Sequence, residues 1–177
     1  KSSWGPVSAR GKTIKTTLGY LLTLADKYSP RRFTRKSLTS IFNYLPITSH
    51  LATSGQPTEQ QLSSIKAAGY EVIINLAPSK AENALQDEAA LVNGLAMEYI
   101  HIPVNFFKPS ECKFGVFVEA MAQSENKKIW LHCAANMRVS AFLFRYRRDI
   151  LKESAAIAKL DLDKIWQPLG VWAQFIK

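Results

Sequence analysis

A cysteine and an arginine lie five positions apart at the end of an apolar run, where together they could carry phosphate chemistry. The run Ile129–Leu131 leads into His132 and Cys133, and Arg138 follows as a helical pattern begins. A loop between a strand and a helix presents backbone N–H groups and a helix N-terminus, which stabilise a thiolate and bind an anion. Cys133 is therefore a candidate nucleophile, and Arg138 is a candidate to bind two phosphate oxygens through its planar guanidinium.

The neighbours of Cys133 suggest supporting roles in the same loop. His132 would orient and polarise the loop, and Ser140 could donate a hydrogen bond to the sulfur and help the thiolate leave. The backbone between the cysteine and the arginine would wrap the anion; it consists of Ala134, Ala135, Asn136 and Met137. This loop has no glycine, and Asn136 is the residue best able to replace one at a positive φ. Purely structural roles for these residues, such as a buried core thiol at Cys133, are the alternative.

Strand and helix patterns alternate along the rest of the chain. Thr58 with Gln61 predicts a capping box at a helix start, and Gly69 occupies a position typical of a helix C-terminal cap. Short apolar segments predict strands within 38–53 and at 71–76, 97–102 and 128–132. Helical spacing predicts helices at 83–93, 111–124 and 139–152, and one or two short ones in 154–177. We therefore expect an α/β fold with a short, mainly parallel central sheet flanked by helices, and Cys133 at the ligand-binding edge of that sheet.

Composition limits the class of protein. A length of 177 residues predicts one main domain, and the sequence has no apolar run of the roughly 18 residues that a membrane span needs. Cys112 and Cys133 have neither the pattern of a disulfide framework nor metal-ligand spacing. We therefore expect a reducing compartment, either cytoplasm or organelle matrix, and no metal site.

The positive charge is concentrated near the N-terminus. Residues 1–58 contain nine Lys or Arg and one acidic residue, Asp26, whereas residues 59–177 contain 14 basic and 13 acidic residues. Helical spacing at 13–28 predicts a basic arm with an amphipathic helix over 1–37, followed by a domain over 38–177. The arm could be part of a mitochondrial-type presequence, an amphipathic helix on an anionic membrane, a docking arm for a protein complex, or an extra helix packed on the body.

Nucleic-acid binding is not expected from this charge distribution. The body of the chain is electrically balanced, so the cluster Arg145, Arg147 and Arg148 predicts a solvated helix face rather than a nucleic-acid surface. The apolar residues Trp166, Trp172, Phe175 and Ile176 predict a C-terminal lid on the core.

Several segments together resemble a known family. HCAANMR followed by serine resembles the signature loop of cysteine-dependent tyrosine and dual-specificity phosphatases, and further matching segments are ATSGQPTEQQL, GYEVIINLA, MEYIHIPV and DLDKIWQP. Over residues 38–177 the chain is similar to small, bacterial-type tyrosine phosphatase-like proteins. The resemblance implies a phosphatase-like fold and hydrolysis of phosphomonoesters, of phosphotyrosine type, through a cysteinyl-phosphate. It implies a phosphorylated or other anionic ligand and no metal or organic cofactor.

Besides the missing loop glycine, the sequence departs from the family pattern at two places. The family has five residues between the cysteine and the arginine, whereas this chain has four, and the usual spacing falls on Val139. The family usually places an aspartate as general acid on the loop equivalent to 103–111. Here Asn105 lies near that position, and Glu111 is the only carboxylate in the loop. An asparagine cannot donate an acidic proton, so the sequence predicts weak or altered activity.

Three functional hypotheses follow from the sequence. The first is a phosphatase that uses Cys133 and Arg138. The second is a non-catalytic phosphatase-like accessory subunit, or anion-binding module, docked through its basic arm. The third and minor hypothesis is rhodanese-like sulfur transfer, because rhodaneses have a Cys-to-Arg loop of similar length.

Overall fold

The computed structural model describes residues 9–26 and 37–177 of the chain. Five strands form one sheet in the order β1-β2-β5-β3-β4. All neighbouring strands are parallel except β1 and β2, which are antiparallel. The strands are β1 (Leu45–Pro46), β2 (Leu51–Ser54), β3 (Val72–Asn75), β4 (Glu98–His101) and β5 (Ile129–His132). The predicted short, mainly parallel sheet is confirmed.

Helices cover the sheet and extend the chain at both ends. They are α1 (Ala9–Asp26), α2 (Glu59–Ala67), α3 (Glu88–Gly94), α4 (Glu111–Gln123), α5 (Met137–Arg145), α6 (Ala155–Ile165) and α7 (Val171–Phe175). A short 3₁₀ helix covers Leu38–Ser40, and a π-helical turn, Tyr146–Ile150, follows α5. The predicted capping box is present at α2, and Gly69 adopts a φ of +86° just beyond the end of that helix.

The central strands are buried on both faces because helices pack on both sides of the sheet. Every residue of β3 and β5 is buried. Their side chains alternate between two apolar clusters: Val72 and Leu131 enter one, whereas Ile73 and Trp130 enter the other. Trp166 and Trp172 are also buried in the larger cluster, so the predicted C-terminal lid is part of the core.

Three predicted elements differ from the structure. The helix expected at 83–93 begins only at Glu88, because Asp87 adopts a left-handed conformation with φ +51° and caps the helix through Ala90 N–H. The helix expected at 139–152 begins two residues earlier, at Met137, and passes into the π-helical turn at Tyr146. The helix expected at 13–28 covers Ala9–Asp26, and residues 27 and 28 lie outside the described part.

The arginine cluster after α5 is also not a simple solvated face. Arg147 pairs with Glu153 and Asp161, each at 2.6 Å. Arg148 pairs with Asp149 and donates to the carbonyl of Ile176. These guanidinium groups are mostly buried because they join the end of α5 to α6 and to the C-terminus.

Helix α1 lies against the C-terminal part of the domain. The Thr16 hydroxyl donates to the carbonyl of Ile165, and Gln167 N–H donates to the Thr13 hydroxyl at 2.9 Å. The division into a 1–37 arm and a 38–177 domain stays a prediction. Within the described residues, no helix is long and apolar enough to cross a membrane.

Candidate active site

The Cys133 loop lies at the carboxyl edge of the sheet. Strand β5 is central, between β2 and β3, and it ends at His132. Cys133 follows at once and is fully buried, and its N–H donates to the carbonyl of Ser54 at 3.4 Å. The loop then enters α5 at Met137. The sequence-predicted arrangement of strand, cysteine, loop and helix is therefore present.

The carbonyl groups of the loop are anchored by residues from three other segments. The carbonyl of Ala134 accepts hydrogen bonds from Gln56 N–H at 3.3 Å and from the side-chain amide of Asn83 at 3.0 Å. The carbonyl of Ala135 accepts from the side-chain amide of Asn43 at 3.1 Å. These bonds fix the peptide planes around Cys133, so the loop needs little reorganisation to bind a ligand.

Asn136 takes the left-handed conformation that the sequence assigned to it. Its φ is +65°, and it is the N-cap residue of α5. Its side-chain amide donates to the carbonyl of Asn43 and to the hydroxyl of Thr53, both at 2.8 Å. Asparagine tolerates this region better than most residues do, and its amide ties the turn to the body, which glycine could not do.

A buried carboxylate lies beside His132. Glu88 Oε1 is 3.1 Å from His132 Nε2, close enough for an ion pair if the histidine is protonated. The two atoms are not aligned well enough to form a hydrogen bond. The same carboxylate accepts hydrogen bonds from the side chains of Gln56 and Asn75 at 2.8 Å and of Tyr99 at 3.2 Å. Burial alone would raise the pKa of Glu88, but the His132 charge and the hydrogen bonds from Gln56 and Tyr99 together lower it. Burial and the nearby Glu88 charge raise the pKa of Tyr99.

Sequence reasoning named His132 but missed the buried polar residues around it. Glu88 and His132 side chains are only 5% and 0% exposed, so the pair forms part of the interior under the loop. One signal was available: Asn75 and His132 are polar residues that each close an apolar strand, in register with each other. Glu88 follows an irregular turn, and its sequence position gave no indication of its burial.

Arg138 lies in the first turn of α5, next to the loop that follows β4. Its guanidinium carbon is 5.2 Å from the centre of the Phe106 ring, and its Nε is buried without a hydrogen-bond partner. Two C-terminal tryptophans support this region. Trp166 donates to the carbonyl of Met137 at 3.1 Å, and Trp172 donates to the carbonyl of Phe106 at 2.7 Å.

Buried polar atoms without partners are concentrated at this site. Among the described residues, such side-chain atoms occur on five residues that belong to the loop, precede it or contact it: Gln56, Asn83, His132, Asn136 and Arg138. Buried polar groups in proteins are nearly always hydrogen-bonded, so their clustering indicates a place for a polar ligand or for water. The described residues contain no group of three or more His, Cys, Asp or Glu that could hold a metal ion.

Helix α1 borders the same site. The side-chain amide of Asn43 donates to the hydroxyl of Thr16 on α1 at 3.4 Å and to the carbonyl of Ala135 in the loop at 3.1 Å. Burial raises the pKa of Tyr20, also on α1, the charges of Glu82 and Cys133 raise it further, and the charge of Arg138 opposes them. The sequence gave no indication that the basic arm would border the Cys133 loop.

Three other predicted site residues make contacts of their own. The Ser140 hydroxyl donates to the carbonyl of Met137 at 3.1 Å. Asn105 Oδ1 accepts from Phe107 N–H at 2.9 Å, which forms a local turn. Glu111 begins α4 and binds Arg145 through both carboxylate oxygens, at 2.6 and 3.0 Å. The roles of Ser140 at the thiol and of Asn105 or Glu111 in the acid loop stay predictions. Cys112 is exposed in the first turn of α4.

Comparison with known proteins identifies the fold and the family. A family profile described as a DSP-PTPase phosphatase fused to NAD+ kinase matches residues 46–168. A candidate phosphatase of the DUF442 group from Shewanella putrefaciens CN-32 is 32% identical, with a TM-score of 0.70, over 78% of this chain and 91% of that chain. No curated protein sequence matches the chain.

More distant structures share the fold. The catalytic core of the PP-IP phosphatase Siw14 from S. cerevisiae, in complex with citrate, has a TM-score of 0.64 at 14% identity, over 79% of this chain and 86% of that chain. P. aeruginosa TpbA in complex with phosphotyrosine has a TM-score of 0.57 at 13% identity, over 68% of this chain and 72% of that chain. The expected phosphatase-like fold is confirmed, and the chain belongs to the DSP-PTPase family of cysteine-dependent, tyrosine phosphatase-like proteins.

Proposed function

We propose that the chain hydrolyses phosphomonoesters through a covalent intermediate on Cys133. The thiolate sulfur attacks phosphorus, the new S–P bond forms as the P–O bond to the leaving group breaks, and the leaving alkoxide or aryloxide takes up a proton. Water then attacks the phosphorus of the cysteinyl-phosphate, which releases inorganic phosphate and restores the thiolate. The observation that carries this proposal is a buried cysteine in an anchored loop that leads into an arginine with a buried, unpartnered Nε.

In this mechanism the loop and Arg138 stabilise the phosphoryl group. Anchored N–H groups and the first turn of α5 would face the phosphoryl oxygens, and the guanidinium would bind two of them. The ring of Phe106 lies against the guanidinium and would limit its orientations. The hydrogen bonds to the carbonyls of Ala134 and Ala135 support this proposal, because they would hold the loop in one conformation before a substrate arrives.

The absence of an aspartate in the 103–111 loop restricts the substrates we expect. Asn105 cannot donate an acidic proton to the leaving group, and loss of general acid catalysis typically reduces rates by roughly 10²–10⁴. Aryl phosphates, including phosphotyrosine, have stable leaving groups and would suffer least. We therefore propose aryl phosphomonoesters as the favoured substrate class, in line with the phosphotyrosine bound by the distantly related TpbA.

A second candidate function is anion binding without turnover. The four-residue spacing between Cys133 and Arg138 and the asparagine at position 105 favour it. In that case the chain would act as an accessory, phosphatase-like module that recognises a phosphorylated partner. The family is one of phosphatases, so we do not propose sulfur transfer.

Aryl phosphate hydrolysis by three forms of the full chain tests the first candidate. Cys133→Ser removes the proposed nucleophile, and Cys112→Ser is the matched control because that thiol is exposed and outside the loop. We expect turnover by the wild type and by Cys112→Ser, and none above background by Cys133→Ser. Equal turnover by all three forms would refute the proposal.

Phosphate binding separates the two candidates. Isothermal titration with inorganic phosphate should give binding by the wild type and a loss of roughly tenfold or more in affinity for Arg138→Ala, since a charged hydrogen bond contributes about 1.5–3 kcal/mol. Binding without hydrolysis would support the second candidate over the first. The absence of both binding and hydrolysis would contradict both candidates.

A further inference from the structure

Helix α1 faces the domain with its polar side. The hydroxyls of Thr13 and Thr16 bond to the backbone around Ile165 and Gln167, and Thr16 is only 4% exposed. A Cβ built on Gly19 would lie 2.7 Å from the Phe42 ring, so the ring would have to shift to admit any larger residue at this close approach. The helix therefore docks through hydroxyl groups and a small residue rather than through an apolar stripe.

The apolar side of α1 consequently faces solvent. Ile14, Leu18, Leu21 and Leu22 are 54–66% exposed, and their spacing places them on one stripe of the helix. Surface helices normally bury such a stripe against the core. A row of four exposed aliphatic side chains is typical of a surface that another apolar phase covers.

Charge around this stripe indicates what covers it. Lys12 and Lys15 lie on the same helix, and the described part of α1 has a single acidic residue, Asp26, at its last position. A groove of about 500 Å³ beside the stripe is lined by Lys12, Lys15 and Lys164 together with Leu18 and Leu22. The charge of Lys164 is already paired with Asp161 at 2.7 Å. The positive charge that the groove offers to a ligand therefore comes mainly from Lys12 and Lys15 on α1. Ammonium groups next to leucines match the phosphate and the acyl region of an anionic lipid.

A second copy of the chain is a poorer occupant for the same surface. Lys12 and Lys15 border the stripe, so two such surfaces placed face to face would bring like charges together. We propose that α1 is an in-plane membrane anchor whose stripe of Ile14, Leu18, Leu21 and Leu22 inserts into an anionic lipid surface. This inference goes beyond hydrolysis and does not depend on turnover at Cys133.

The anchor would also place the Cys133 loop near the lipid surface. Asn43 links the helix to the loop, because its side-chain amide donates to the Thr16 hydroxyl at 3.4 Å and to the carbonyl of Ala135 at 3.1 Å. The side of α1 that contacts the domain thus borders the loop, while its opposite side enters the headgroup region. Phosphorylated groups at the membrane surface would then be close to the site.

Vesicle co-sedimentation of the full chain tests the anchor. We expect binding to vesicles of phosphatidylcholine mixed with phosphatidylglycerol, and little binding to phosphatidylcholine alone. Leu18→Gln with Leu21→Gln should weaken the partition at least about tenfold, because two leucines lose their burial. Lys12→Gln with Lys15→Gln should weaken it about fivefold per lysine at low salt, and added salt should reduce wild-type binding.

A matched control variant lies on α6. Ile157 and Leu160 are 52% and 62% exposed, close to the values for the α1 stripe, and their replacement by glutamine should leave vesicle binding unchanged. Circular dichroism melts would confirm that each variant is folded. The proposal is overturned if the wild type does not bind anionic vesicles or binds neutral vesicles equally well. It is also overturned if the α1 variant, Leu18→Gln with Leu21→Gln, and the α6 variant, Ile157→Gln with Leu160→Gln, bind vesicles equally well. It is also overturned if the stripe instead mediates a stable dimer that excludes lipid.

Discussion

Replacing Glu88 by glutamine removes the charge that holds four polar side chains together under the Cys133 loop. Oε1 accepts from Gln56 and lies near His132, and Oε2 accepts from Asn75 and Tyr99. A glutamine has one acceptor oxygen and one NH₂ donor, so the NH₂ group must face donors on one of the two sides. The Glu88→Gln variant therefore loses the acceptor of at least one buried hydrogen bond, and it weakens the others because the acceptor is no longer charged.

The magnitude follows from burial. Each buried donor without an acceptor costs about 1–3 kcal/mol, and each hydrogen bond to a charged group contributes about 1.5–3 kcal/mol. We expect Glu88→Gln to lower the free energy of unfolding by about 3–5 kcal/mol at pH 7. Glu111→Gln is the matched control, because it breaks a carboxylate–arginine pair whose carboxylate is 74% exposed, and we expect it to cost at most about 1 kcal/mol.

The pH dependence gives a second readout. The pKa of Glu88 is lowered in the folded protein, so its carboxylate stabilises the fold fully above the ordinary value of 4.5. That contribution is lost as the pH falls through the lowered pKa. Urea unfolding at pH 7 and at the lowest pH where both forms fold should show the gap between wild type and Glu88→Gln becoming smaller in acid. Equal costs for Glu88→Gln and Glu111→Gln at pH 7 would refute the reasoning.

Three further predictions concern the loop and its neighbours. Asn136→Ala should cost about 1 kcal/mol more than Asn136→Gly in urea unfolding, because both lose the side-chain hydrogen bonds but only alanine is strained at φ +65°; equal costs would contradict this. Gly55→Ala should destabilise the chain by about 1–3 kcal/mol and weaken phosphate binding in calorimetry, because the new Cβ would lie 3.0 Å from the carbonyl oxygen of Ala134. Asn105→Asp can keep its bond to Phe107 N–H and should raise kcat for alkyl phosphates roughly 10-fold or more relative to aryl phosphates; an unchanged ratio would mean that position 105 does not face the leaving group.

The sheet and the Cys133 loop could be predicted because local sequence patterns determine them. Apolar β-branched segments such as Val72–Asn75 have few alternatives once both faces are buried. Asn136 was predictable because a loop without glycine needs a residue that tolerates positive φ. The capping box at Thr58 was predictable because its two hydrogen bonds connect residues three positions apart.

The polar group under the loop could not be predicted because its members come from distant parts of the sequence. Glu88 and His132 are 44 positions apart, and only the sheet and α3 bring them together. The segment before α3 looked helical, but Asn83 bonds to the carbonyl of Ala134 and Asp87 is left-handed, so tertiary contacts and a turn delay the helix. Amphipathic spacing in α1 was visible in the sequence, but the spacing alone did not show that the polar side faces the domain.

Trapping of the covalent intermediate tests the central claim most directly. The full chain would be mixed with an aryl phosphate and quenched rapidly, and its peptides would be analysed by mass spectrometry. We predict one phosphoryl group on the peptide that contains Cys133, and no such group when Cys133 is replaced by serine. A phosphoryl group on any other residue, or hydrolysis that proceeds without modification of Cys133, would contradict the account.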